Sequence, residues 1–234
     1  MLLVLTLSIV SIHAAFLLTV GILSAVYRRH NPRGTALMLY RSLTSGPQTP
    51  PDFLPLTEMP APLVRAIVYI EDFGFYRHHG FDVESIRHAI RLNRRLGYRA
   101  YGGSTITQQL ARTLFLLPHK TYLRKYFELL AAVEIELIVP KNRILELYLN
   151  CIEWGNGTWG VRNAALEQFG AAVAGLSPDE VARLVAIMPS PRRYDAESFE
   201  SNPILTRRYE AVRRYLQRTA ASPPELRSEL TRVR

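Results

Sequence analysis

Cysteine occurs once in the 234 residues, at Cys151, so an intramolecular disulfide is excluded and packing alone must hold the chain together. That thiol follows an apolar helical stretch and reads as a buried side chain rather than a nucleophile. No alternating apolar–polar run longer than four residues occurs, which argues against a sheet-built domain. No internal repeat is present, which argues against a solenoid. Acidic residues are outnumbered, 20 against 29 basic ones, giving a net charge of +9. Charge is missing altogether from Leu2 to Val26, where no Asp, Glu, Lys or Arg occurs.

That uncharged front is long enough to matter. As a helix it reaches roughly 37 Å, more than a hydrocarbon core of about 30 Å. A cleaved signal sequence is the alternative. The run exceeds an ordinary h-region of about 7–15 residues, and no small-x-small site closes it, which favours an uncleaved anchor. Arg28, Arg29 and Arg33 follow the span and nothing basic precedes it, a bias that by itself would keep the rest of the chain cytoplasmic. Behind the span there is room for one well-packed domain and hardly for two.

The basic residues are mainly Arg and cluster twice, at Arg87, Arg91, Arg94, Arg95 and Arg99, and at Arg207, Arg208, Arg213, Arg214 and Arg218. Nucleic acid is the reflex partner for such clusters, but no recognition motif accompanies them. With a membrane span at the front, an anionic leaflet is the better partner, each residue near it contributing on the order of 1 kcal/mol. Part of each cluster also reads as plain solvated helix surface.

Residues 28–60 are rich in Pro and small polar residues and read as a connector. From Ala61 onward helical periodicity dominates. Leu63, Ile67 and Ile70 form a stripe ending at Glu71. Further helices are predicted over 82–96 with Asp82 as cap, 104–116 halted by Pro118, and 121–138 halted by Pro140. Others follow from Pro140 to Leu149, Ala164 to Phe169, Ser177 to Met188 and Leu205 to Ala220. The domain is mainly α.

Two segments do little for a core and look built for a polar ligand: Glu71-Asp72-Phe73-Gly74-Phe75-Tyr76-Arg77-His78-His79-Gly80, and Gly102-Gly103-Ser104-Thr105-Ile106-Thr107-Gln108-Gln109-Leu110. The second opens a helix, with Ser104 or Thr105 as cap and unpaired N–H groups suited to an anionic or sugar-phosphate ligand. Farther on, Lys120, Arg124 and Glu128 recur every four residues and would share one helix face. A surface Arg–Glu pair is the bland account of that face.

These segments, with Arg124-Lys125-Tyr126-Phe127-Glu128 and Lys141-Asn142-Arg143-Ile144-Leu145-Glu146-Leu147-Tyr148-Leu149-Asn150, resemble in order and spacing the four motifs of the peptidoglycan glycosyltransferases. The resemblance covers roughly 50–218, and Glu153 to Gly157 with Trp159-Gly160-Val161 is similar to the monofunctional biosynthetic branch. It implies a lysozyme-like bilobal glycosyltransferase domain over 61–220, behind a transmembrane anchor (1–27) and a juxtamembrane connector (28–60), with a C-terminal tail at 221–234. It further implies an inverting, processive enzyme that polymerises lipid II into β-1,4 glycan strands and releases undecaprenyl diphosphate. The chain would sit in the inner membrane by a single pass, its catalytic domain on the periplasmic face, against the bias of the flanking arginines. Lipid II, the growing strand, the membrane and cell-wall synthesis proteins are the implied partners, and nucleic acid is not among them.

Such a reaction needs a proton acceptor, cations for the departing diphosphate and a site that aligns two sugars. Glu71 is the candidate base, partly desolvated between Ile70 and Phe73; a helix-terminal salt bridge is the alternative. Asp72 lies about 100° around the helix and is assigned a supporting role, as are Phe75 and His78. Lys120, Arg124 and Arg112 are expected to cradle diphosphate. Glu128 would orient them, hold a divalent metal or assist the leaving group, and Lys125 is counted with the substrate-binding residues although it points elsewhere on a periodic helix. Ser104, Thr105, Gln108 and Gln109 are expected to contact sugar or phosphate. No cofactor is required by the sequence, and Mg2+ or Mn2+ is compatible with it. Arg112 and Thr113 stand where such enzymes usually carry Lys and Asn. A fifth, Arg-rich element is only loosely recognisable from Arg207-Arg208. Glu146 and Asn150 read as buttresses, and Trp154 to Trp159 as either a sugar-stacking or a packed loop. A lytic cell-wall enzyme of similar fold and a catalytically silent membrane scaffold are the rival readings.

Overall fold

The computed structural model describes residues 1–98 and 102–221; Arg99 of the first basic cluster and residues 222–234 of the tail lie outside the described residues. The described residues are mostly helical and include no strand, only an isolated bridge between Glu153 and Trp159. The chain runs through α1 (Leu2–Tyr27), α2 (Ala36–Ser45), α3 (Ala61–Glu71), α4 (Val83–Leu96), α5 (Ile106–Phe115), α6 (Tyr122–Ile138), α7 (Lys141–Cys151), α8 (Val161–Phe169), α9 (Pro178–Ile187) and α10 (Pro203–Ala221).

Local chemistry sets most of the boundaries. Thr35, Asp82, Thr105, Thr121 and Ser177 each accept a hydrogen bond from the first turn of the helix they precede, caps worth about 1 kcal/mol apiece. Gly97 and Gly170 end α4 and α8 in the left-handed conformation, with φ of 74° and 63°. Pro140 stands outside α7 as its N-cap, one step earlier than its expected place in the first turn. The connector contains a helix that its prolines obscure. In α2, Leu37 and Met38 pack on the buried ring of Trp159, and Arg41 pairs with Glu153 at 3.2 Å.

In the core, α5 lies against α6, α7 and α2, while α3 packs on α9 and α10. Leu63, Ile67, Ile106, Leu110, Ile135, Ile144 and Leu145 are fully buried. Truncating any of these to Ala costs about 2–5 kcal/mol. By contrast α4 buries only Ala89 and borders the groove described below.

The first helix is long and apolar enough to span a membrane: it has 26 residues, and an 18-residue stretch within it has a mean hydropathy of 2.3 with only 6% of that stretch buried. Its second half does not stand free. Val20 and Ser24 are buried, Phe16 meets Phe127 of α6 edge-on at 4.8 Å, and His13 packs on Phe127 at 5.3 Å. Gly21 lets the Glu134 carboxylate of α6 lie close to the helix, since a Cβ there would come within 2.6 Å of it and the flexible side chain would have to move. At the lower end Arg143 of α7 holds the chain leaving the span, donating to the carbonyls of Tyr27 (2.9 Å) and His30 (2.8 Å) and to Asn31 Oδ1 (2.9 Å). The anchor is therefore fastened to the domain.

Candidate active site

Two loops are wired together before any ligand is considered. Asp72, just beyond α3, is buried; its Oδ2 accepts from the Ile106 N–H at 2.9 Å. His78 Nε2 lies 3.0 and 2.8 Å from the two Asp72 oxygens, and its Nδ1 accepts from the Gly80 N–H at 3.3 Å. Because Gly80 donates to Nδ1, Nε2 carries the proton that faces Asp72. Gly80 has φ of +96°, and a Cβ there would sit 3.0 Å from the Ala132 backbone of α6. Its carbonyl accepts from Thr105 Oγ1 at 2.7 Å. Asp72 thus joins the end of α3 to the start of α5. Phe75 is fully buried beneath this loop.

The start of α5 is capped by its own side chains. Thr105 Oγ1 accepts from the Gln108 N–H (3.1 Å), and Gln108 Oε1 accepts from the Thr105 N–H (3.0 Å), a reciprocal capping box. Both residues are 2% exposed, so the expected substrate contact by the Gln108 side chain is corrected: it serves the helix start. Thr105 reaches the groove, but its hydroxyl is already committed. Residues 102–104 stay non-helical, which leaves Ser104 half-buried at the groove, where its Oγ accepts from Lys125 Nζ at 2.7 Å.

Glu71 is the last residue of α3, where the helix dipole disfavours negative charge by about 0.3–1 kcal/mol. Two neighbours offset this. Gln109 Nε2 donates to Glu71 Oε2 at 2.8 Å, and Arg208 of α10 forms an ion pair with Oε1. The Gln109 amide is itself set by the Tyr148 hydroxyl, which donates to its Oε1 at 3.0 Å. Burial pushes that hydroxyl well above its ordinary value, and the Glu71 charge pushes the same way, so it stays a proton donor. Arg208 Nε donates to the Val185 carbonyl at 3.0 Å. Glu71 is only 10% exposed, though not between apolar walls as expected: Phe73 is 65% exposed and the carboxylate's partners are polar. Gln109 orients Glu71 instead of reaching free into the groove. Tyr148 supplies the end of the chain Tyr148–Gln109–Glu71–Arg208. Arg208 was legible only as part of a basic run, since nothing local to it points across 137 residues to Glu71.

A second charged cluster lies on α6. Glu128 is 1% exposed, and Arg124 and Lys125 each form an ion pair with it. Lys125 is therefore part of the cluster, correcting its expected divergence, because three residues apart on a helix is also one face. Lys120 is the opposite correction. Thr121 caps α6, so Lys120 precedes the helix and is exposed, off the face that Arg124 and Glu128 share. Arg124 Nε is tied to the His119 carbonyl at 2.6 Å. Arg112, in the last turn of α5, is half-buried with no carboxylate partner among the described residues. Its charge reaches the Tyr148 hydroxyl, which places it on the Glu71 side. A divalent ion at Glu128 would have to displace two ion pairs. Among the described residues no group of three or more His, Cys, Asp or Glu is arranged to hold a metal by itself.

Beside Glu71 runs a groove of about 170 Å³, lined by Glu71, Asp72, Gly103, Ser104 and Thr105 on one side and by Ser85, His88 and Ala89 of α4 on another. Ligand sites commonly measure about 300 Å³ or more, so it has room for only part of a large ligand. Ser104 joins the groove to Lys125. Arg124 and Lys120 do not line it. Trp154 and Trp159 are fully buried, their indole N–H groups given to the Leu149 carbonyl (3.1 Å) and Gln48 Oε1 (3.0 Å), so that loop packs and does not stack on a ligand. Asn150 and Glu146 brace the connector through the backbone of Leu54 and Leu56.

Residues 41–217 match the family model described as Transglycosylase. A biosynthetic peptidoglycan transglycosylase of Azoarcus sp. is 43% identical over 177 residues, 73% of this chain and 76% of that protein. One from Thiobacillus denitrificans is 40% identical over 192 residues, 80% of this chain and 82% of its own length. One from Aromatoleum aromaticum is 46% identical over 146 residues, 62% and 64% of the two chains.

Proposed function

The chain belongs to the transglycosylase family and is a peptidoglycan glycosyltransferase of cell-wall synthesis, and on that premise we propose that it polymerises lipid II with Glu71 as the base. The observation that carries this reading is the placement of Glu71 and Ser104 on one groove, the first held by Gln109 and Arg208, the second by Lys125. Glu71 takes the proton from the acceptor sugar's hydroxyl as that oxygen attacks the donor's anomeric carbon. The bond from that carbon to the diphosphate oxygen breaks, and its electron pair leaves with undecaprenyl diphosphate. Attack opposite the leaving group inverts the anomeric centre, giving a β-1,4 link. Lys125, with Arg124 behind it and Arg112 on the Glu71 side, supplies positive charge toward the departing diphosphate, the kind of preorganised electrostatic help that commonly dominates such catalysis. Glu128 keeps the two α6 cations in place. No step is routed through a metal.

The substrate's lipid tail suits the way this domain is mounted. Beside the apolar α1, the first turn of α6 exposes Tyr122 (95%) and Leu123 (67%), and Leu117 precedes them at 50%. These side chains support a domain seated against a bilayer, which we place on the periplasmic face of the inner membrane. Detergent-solubilised protein given labelled lipid II, with and without divalent metal, tests the whole reading. Growing glycan strands are expected. Degradation of preformed glycan would instead establish a lytic enzyme, and neither activity would leave a scaffold.

A further inference from the structure

We propose that Arg208 is a positioning residue for the transfer, aiming the Glu71 carboxylate so that its remaining lone pairs face the groove. The inference rests on the reading of Glu71 as base and deepens it. Glu71 ends its helix on a side chain with three rotatable bonds, and α3 offers nothing beyond itself to select a rotamer. Two other elements do. Gln109 of α5 takes Oε2 and Arg208 of α10 takes Oε1. Each of these is fixed in turn, Gln109 by the Tyr148 hydroxyl of α7 at 3.0 Å and Arg208 by the Val185 carbonyl of α9 at 3.0 Å. Five helices therefore converge on the direction of one carboxylate.

An ion pair that merely fastened α10 to α3 would be redundant. Tyr69 of α3 already stacks on Tyr215 of α10 at 4.2 Å with their planes 12° apart, and Leu205, Val212 and Leu216 are buried from the same helix. The carboxylate that Arg208 holds also lines the groove. The adjacent Arg207 provides an internal comparison: it is exposed and turned to the Tyr98 hydroxyl at 3.3 Å. Two neighbouring arginines on one helix thus separate a site contact from a surface contact.

The test uses the full chain in detergent with labelled lipid II, comparing Arg208→Gln, Arg208→Lys, Arg207→Gln and Glu71→Gln. Misaiming a reacting group by about 1 Å costs on the order of 100-fold. Arg208→Gln should accordingly lower kcat by about 10- to 100-fold with KM within about twofold, and Arg208→Lys should recover part of that loss. Arg207→Gln should match the parent. Added to Glu71→Gln, Arg208→Gln should cause no further loss, because a residue acting through the base has nothing left to act on. An unchanged kcat in Arg208→Gln overturns the inference, as does a rise in KM alone or an additive loss in the double variant. Should Arg208→Gln not fold, the Lys variant decides: reduced kcat at constant KM supports the proposal, and the parent rate refutes it. A fully active Glu71→Gln defeats the base reading itself. An inactive Glu71→Gln beside a normal Arg208→Gln defeats this inference alone.

Discussion

Replacing Asp72 by Asn changes one oxygen into an NH2 group, and the surroundings leave that group nowhere to go. If the amide oxygen takes the Oδ2 place, 2.9 Å from the Ile106 N and 2.8 Å from His78 Nε2, the new NH2 takes the Oδ1 place, 3.0 Å from Nε2, where the atom it replaces was an acceptor and it has none to donate to. Turning the amide over sets NH2 against the Ile106 N–H instead. Moving the His78 proton to Nδ1 relieves the first conflict but opposes the Gly80 N–H, 3.3 Å away. Every arrangement leaves one donor unpaired at a residue that is 6% exposed. An unsatisfied buried group costs about 1–3 kcal/mol, and in a domain of this size each kcal/mol lowers Tm by about 2–4 °C. Asp72→Asn should therefore melt about 2–12 °C lower, and Asp72→Ala, which abandons both donors, lower still. Catalysis should fall as well, since Asp72 ties the start of α5, and with it Ser104 and Gln109, to the end of α3. Thermal unfolding of detergent-solubilised protein, read beside polymerisation rate, measures both effects. An Asn variant that melts with the parent and turns over normally would refute the assigned hydrogen-bond directions.

Glu71→Gln should keep the fold and lose about 10²- to 10⁴-fold in kcat, the usual contribution of a general base and about 2.7–5.4 kcal/mol of barrier; strand growth at the parent rate would sink the assignment. Gly80→Ala should destabilise by at least about 1–3 kcal/mol, because φ of +96° is strained for alanine and its Cβ would press on the Ala132 backbone at 3.0 Å; a denaturant midpoint equal to the parent's would contradict this. Cys151 is fully buried, and burial pushes its thiol up to about 12, so it should resist iodoacetamide at pH 8 until the protein is unfolded; rapid native labelling would show the site to be open.

The candidate site segments stand out in the sequence because their signals are local. A carboxylate ending an apolar stripe, a Gly-Gly-Ser-Thr start to a helix and the Arg–x3–Glu spacing of α6 all lie within a few residues of one another. The same locality explains the errors. Spacing by four put Lys120 on α6, but Thr121 had a better use as a cap, and the helix began after it. Gln108 and Gln109 look equivalent in sequence, yet capping geometry draws the first back to Thr105 and leaves the second to face Glu71. Pro-rich composition hid α2, whose stability comes from Trp159 and Glu153, both more than a hundred residues away.

By itself, the sequence settled the helical class, the apolar span and most caps, and it named the candidates for chemistry, since periodicity, propensity and side-chain type act over one or two turns. The partners of those residues were decided only by folding. Arg208 meets Glu71, Tyr148 meets Gln109 and Arg143 grips the end of α1 because close packing brings distant helices together, and a hydrogen bond acts only between atoms about 3 Å apart, however far separated along the chain.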